Sequence, residues 1–111
     1  RKKKLYKEAI AFLDKALGIE GTESNAEIQF NLASLLEEQG ATQEALEAYL
    51  KVSYLYPGQD AWVVKALLRV ARVYENKENL DELKNILEKI AAYNVPEAKY
   101  AEEKLSGLST R

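Results

Sequence analysis

The sequence has 111 residues, 47% of them apolar and 31% charged, with a formal net charge of −2. That length predicts one domain, and the composition is that of a folded chain, since disorder goes with lower hydrophobicity and larger net charge. Cysteine and histidine are both absent, which excludes a disulfide framework, a thiolate metal site, a cysteine nucleophile and the commonest general base and metal ligand.

The pI of about 5.3 argues against a nucleic-acid partner held by bulk positive charge. No apolar run approaches the roughly 18 residues of a membrane span. The chain opens on Arg1-Lys2-Lys3-Lys4, but Leu5-Tyr6-Lys7-Glu8 follows where a signal peptide needs an apolar stretch. The basic run reads as a solvated tail, with contact to anionic lipid or nucleic acid as the alternative. Methionine is absent, so the chain is expected to be a piece of something longer.

Six helices are predicted, and no strand. The first runs from about Lys3 to Leu17, ahead of Gly18 and Gly21. Ser24-x-x-Glu27 forms a capping box for the second, because a hydroxyl and a carboxylate can each take up a free backbone N–H. That helix extends to about Gln39 and stops at Gly40, where glycine adopts a left-handed conformation cheaply. The third spans about Gln43 to Tyr56 and is ended by Pro57-Gly58. Asp60 is expected to cap the fourth, from Ala61 to about Lys77. Asn79-x-x-Glu82 is expected to cap the fifth, to about Tyr93. Asn94-Val95-Pro96-Glu97 opens the sixth with proline in the first turn, where its missing N–H costs nothing. It should end near Ser106-Gly107.

The chain also repeats itself. Glu8-Ala9 and Lys15 recur as Glu44-Ala45 and Lys51, 36 positions on, and Glu82 and Lys89 follow 38 further. Apolar positions travel with them: Ala9, Ala45 and Leu83; Leu13, Tyr49 and Leu87; Ala16, Val52 and Ile90. Steps of four and three residues place each set on one helical face. Leu32-Ala33 and Leu36 recur as Val70-Ala71 and Tyr74, again 38 apart. A period of this size split into two helices reads as an all-α, antiparallel helix-pair solenoid.

These residues resemble the tetratricopeptide repeat. Ala26 to Gln59 fits its pattern at full length, with Leu32-Ala33, Leu36, Gly40, Ala45, Tyr49 and Pro57 in the signature places and Val52 replacing a usual alanine. The next repeat supplies Val70-Ala71 and Tyr74, then drifts to Leu83, Leu87 and Ile90, with Glu78 where glycine is common. The resemblance implies a single domain over 1–111, forming a right-handed superhelix. Residues 1–21 form an orphan second helix, 26–59 a full repeat, 60–95 a repeat with an extended first helix, and 96–107 a closing helix. Asp60-Ala61-Trp62-Val63 adds four residues, and Tyr56-Pro57-Gly58 leading into a long helix resembles bacterial cell-envelope repeat proteins of the Tol-Pal-associated and outer-membrane-assembly kinds. By that resemblance the periplasm or cell envelope is favoured over the cytoplasm, and the sequence does not itself give the compartment.

The repeat implies a concave groove lined by the first helix of each pair. In the second helix the expected core stripe is Ile28, Leu32, Ala33 and Leu36, leaving Glu27, Phe30, Asn31, Ser34 and Glu38 on the open side. In the fourth helix the core stripe is Val63, Leu67, Val70, Ala71 and Tyr74, leaving Lys65, Leu68, Arg69, Arg72 and Asn76. Both open stripes keep helical spacing. Asn31, Lys65 and Arg69 match three residues of the clamp with which some family members grip a peptide's terminal carboxylate. Arginine offers a planar fork, lysine a point charge, and asparagine both donor and acceptor. The alternative is that Lys65, Arg69 and Arg72 form a solvated basic face. Phe30 and Leu68 are candidate apolar anchors, with contact between repeats as the alternative. Trp62, Tyr54 and Tyr56 are expected to fill the inter-repeat junction, with an interface hot spot as the alternative.

Catalysis has little support. Glu37-Glu38, Asp81-Glu82 and Glu102-Glu103 are adjacent carboxylates, which point about 100° apart on a helix and do not share a site. Neither an EF-hand loop nor a phosphate-binding glycine motif is present. The expected function is therefore non-catalytic: a groove formed by Glu27, Phe30, Asn31, Ser34, Lys65, Leu68, Arg69 and Arg72, holding a protein or peptide segment that is acidic or ends in a free carboxylate. No cofactor, metal or nucleic acid is expected. The second reading is an assembly module that self-associates through Leu5, Ala9, Phe12, Leu13 and Ala16 of the first helix.

Overall fold

A computed structural model describes the backbone of residues 2–17 and 25–109, with side chains at 7–13, 15 and 25–108. Six helices fill the described chain: α1 (Lys2–Leu17), α2 (Asn25–Glu38), α3 (Thr42–Leu55), α4 (Asp60–Asn76), α5 (Leu80–Ala91) and α6 (Glu97–Ser109). No strand occurs among the described residues. Each helix packs on the next, and α2 also touches α4 across the intervening α3. This is an all-α helix-pair solenoid. Its extents are 45 × 32 × 17 Å and its radius of gyration is 14.8 Å. A spherical domain of this length would have about 13 Å, so the stack is drawn out along its axis.

The 38-residue repeat is visible in the core. Leu32 and Val70, Ala33 and Ala71, Ala45 and Leu83, Tyr49 and Leu87, and Val52 and Ile90 are equivalent pairs, and all ten are buried. Short helices are marginal alone in water. Burial of these faces, at about 1.5–3 kcal/mol for each large side chain, is what holds them. Ala33 and Ala45 have no exposed surface, so small side chains sit where α2 and α3 approach.

The helix boundaries depart from expectation in instructive ways. Asp60 does not cap α4, whereas Asn79 stands at the N-cap of α5 but without a side-chain capping bond. Asp60 is the first residue of α4, and Gln59, which precedes it, makes no side-chain capping bond either. The α4 entry is instead set by a turn in which the Gln59 N–H donates to the Tyr56 carbonyl at 3.0 Å, with Pro57 fixing the first central φ. Pro96 lies just before Glu97, the first residue of α6, and α6 runs through Gly107 to Ser109, so Gly107 is not its stop. A helical glycine is tolerated at about 1 kcal/mol. The Ser24 capping box and Gly18 and Gly21 lie outside the described residues.

Candidate functional site

The first helices of successive pairs, α2 and α4, meet along a seam. Phe30 of α2 is 7% exposed, with its ring centroid 5.5 Å from those of both Tyr49 and Trp62. It belongs to the core. The expectation of an open apolar anchor at Phe30 is therefore corrected. The reason lies in the four extra residues before the second repeat, which form the first turn of α4 and place Trp62 over the Phe30 ring. Trp62 thus fills the junction between repeats. Tyr54 does not: it is 69% exposed and lines a separate groove with Leu50, Tyr74 and Ile86.

The basic residues of α4 cover this aromatic cluster. The Lys65 ammonium lies 4.7 Å from the Trp62 centroid and 6.0 Å from that of Phe30, and the Arg69 guanidinium carbon lies 5.4 Å from Phe30. These are cation–π distances. Two turns beyond Phe30, Glu37 of α2 ties the seam shut. Its Oε1 accepts from the Tyr49 hydroxyl at 2.6 Å and lies 3.7 Å from Arg69 Nη1, and its Oε2 accepts from Arg72 Nη2 at 3.1 Å. Arg69 Nη1 also donates to the Tyr49 hydroxyl at 3.5 Å. The Tyr49 side chain has no exposed surface. Burial first, and then the hydrogen bond to Glu37 and its negative charge, push the phenol pKa up to about 12. Below the seam, buried Gln29 donates from Nε2 to the Ala48 carbonyl at 3.0 Å, pinning α2 to α3.

The eight site residues are consequently divided. Lys65, Arg69 and Arg72 stand on the α2–α4 seam, and Arg69 and Arg72 are engaged by Glu37. Asn31 faces away from it, into a groove shared with α1, so Asn31 does not join Lys65 and Arg69 in a clamp; Ser34 borders that groove and also stands by the Tyr49 hydroxyl on the seam. Glu27 is exposed. Leu68 is half-buried on the other flank of α4. Glu37, dismissed by sequence as one of a pair of adjacent carboxylates, proves to be the hub. Its signal was its spacing, since Phe30, Ser34 and Glu37 follow one helical ridge.

Leu68 opens the surface that the sequence did not delineate. Between α4 and α6 runs a groove of about 430 Å³, floored by Leu68, Ala71, Leu83 and Leu87 and walled by Arg72, Glu75, Glu97, Tyr100 and Lys104. The Lys104 ammonium meets Glu75 Oε2 at 2.7 Å, bracing the two helices. Tyr100 is 49% exposed. Arg72 thus stands between two environments: one side reaches Glu37 and the other borders an apolar trough.

Residues 26–59, the stretch spanning α2 and α3, match the family model described as Tetratricopeptide repeat. Searches of curated proteins and of solved structures return no match.

Proposed function

We propose that the chain is a non-catalytic interaction module that takes an amphipathic segment of another protein in the α4–α6 groove. An apolar side chain enters over Leu68, Leu83 and Leu87, and an acidic side chain or terminal carboxylate meets Arg72. Tetratricopeptide repeats mediate protein–protein interaction in general, which supports the class. The observation that carries the finer reading is the apolar trough opening beside a half-exposed guanidinium. An apolar anchor fixed by a charge-assisted hydrogen bond is how helical grooves give both affinity and orientation. Relative to the sequence-based expectation, the binding surface moves one repeat toward the C-terminus: Leu68 and Arg72 stay, and Glu27, Phe30, Asn31, Ser34, Lys65 and Arg69 leave.

A displayed library of random peptides, selected on the immobilised protein, tests this. Enriched peptides should carry a large apolar residue near an acidic one. Their affinity should fall at least about tenfold in Leu68→Ala and in Arg72→Glu. Far-ultraviolet circular dichroism should be unchanged in both variants. Enriched peptides indifferent to both substitutions, or a failure to enrich any, would remove the proposal.

A further inference from the structure

At the other end of the stack, α1 packs chiefly on α2, and part of its surface is left open. Phe12 is 71% exposed. It stands on the rim of a groove of about 450 Å³ lined by Ala9 and Leu13 of α1 and by Asn31, Ser34 and Leu35 of α2. Leu5 and Ala16, the other members of the expected self-association stripe, have side chains outside the described residues. Glu8 and Lys15 are both exposed, four residues before and three after Phe12. That spacing puts all three on one ridge, which reads acid, aromatic, base along the chain.

Such a ridge complements itself only in one orientation. Laid parallel on a second copy, it sets Glu8 against Glu8 and Lys15 against Lys15. Turned end over end about a two-fold axis, it sets Glu8 against Lys15 of the second copy twice, with Phe12 close to the axis and facing the other molecule's groove. We propose that the chain forms an antiparallel, two-fold symmetric dimer through this ridge and groove of α1. A two-fold contact uses the same patch on both molecules, which the ridge satisfies. The helix is about 24 Å long at 1.5 Å per residue. One helix and one groove per copy put the interface at the low end of the specific range, below about 1,200 Å². The two charge pairs lie at the surface, so low salt strengthens the dimer.

Sedimentation equilibrium of the 111-residue chain over a wide concentration range tests this. The unmodified chain should pass from monomer to dimer and go no further. Glu8→Lys alone and Lys15→Glu alone should each weaken the dimer about tenfold, by turning two attractive contacts into repulsive ones. The double variant carrying both should recover the original affinity, because the swapped charges still face each other. Phe12→Ala should weaken the dimer in every background, and since the side chain is exposed, its melting temperature should hold at concentrations where both proteins are monomeric. A chain monomeric throughout, a dimer indifferent to Glu8→Lys, a double variant that fails to recover, or open-ended association would each overturn the proposal. So would a segment of a different protein that binds the groove without Glu8 or Lys15 mattering.

Discussion

The α2–α3 and α4–α5 pairs close with the same turn built from different residues. After α2, the Gly40 N–H donates to the Glu37 carbonyl at 3.0 Å and the Ala41 N–H to the Leu36 carbonyl at 2.9 Å. After α4, the Glu78 N–H donates to the Glu75 carbonyl at 3.0 Å and the Asn79 N–H to the Tyr74 carbonyl at 2.9 Å. These bonds take up the last free carbonyls of each helix. They need one residue in the left-handed region, and it is Gly40 at φ 91° in the first pair and Glu78 at φ 58° in the second. The pairs also differ inside: Tyr49, with a polar tip, stands where Leu87 is wholly apolar. Stacking thus dictates backbone geometry at both places, while the side chains decide what that geometry costs and how it responds to pH.

The Tyr49–Leu87 difference should give the largest effect. An ordinary tyrosine titrates at 10.0, and folded Tyr49 at about 12. Below the lower value both states hold the proton and stability is complete. Between the two values the unfolded chain alone ionises, so stability falls as pH rises. A shift of this size removes about 2–3 kcal/mol across the window. Tyr49→Phe has no proton to lose there. It should unfold at a lower urea concentration near neutrality, by about 1.5–3 kcal/mol for the lost bond to a charged acceptor, and most or all of that gap should close in alkali. Tyr74, also raised by burial and by Glu82 and Tyr54, is common to both chains and cancels. Parallel alkaline declines in the two proteins would mean that Tyr49 ionises freely when folded.

The turn comparison sharpens at about half that size. A Cβ on Gly40 meets nothing within 4 Å, so Gly40→Ala tests the left-handed backbone alone and should cost about 1 kcal/mol. Glu78→Gly should do the opposite and stabilise by about 0.5–1 kcal/mol, since relief of the left-handed penalty outweighs glycine's added entropy in the unfolded chain. Thermal melts of both variants check the pair of signs. If Glu78→Gly destabilises, contacts of the Glu78 side chain, and not its backbone, hold that turn.

These turns also mark how far sequence carries. Gly40 announced its conformation, and Glu78 was legible only through its offset of 38 from Gly40, as a glycine place filled by something else. The core pairs from Leu32/Val70 to Val52/Ile90 were legible for the same reason: helical spacing and period both pointed at them. Phe30 was not. Its place on the open stripe of α2 follows from one helix considered alone, whereas its burial depends on where Trp62 of α4 lands. Likewise, adjacency hid Glu37, whose role arises between helices. Leu68 and Arg72 were singled out, yet the α4–α6 trough beside them needs Leu83, Leu87 and Tyr100, brought in by α5 and α6. Period and pattern fix what one helix buries; what two helices share across a seam is set by their relative placement.

The smallest effect bears most directly on function. Glu37 and Arg72 are 22% and 54% exposed at the side chain, so solvent screens their attraction. A double-mutant cycle of Glu37→Gln and Arg72→Gln, read from urea unfolding, should give a coupling below about 1 kcal/mol. The Glu37–Tyr49 cycle should exceed it, because a carboxylate accepting from a buried hydroxyl is worth about 1.5–3 kcal/mol. The ranking matters because Arg72 must serve both the seam and the proposed groove. With weak coupling, an incoming carboxylate can take over the guanidinium at little cost, while Tyr49 keeps Glu37 in place and the repeats in register. A Glu37–Arg72 coupling as large as the Glu37–Tyr49 one would lock Arg72 into the seam, and the acidic half of the proposed ligand would then have no cation to meet.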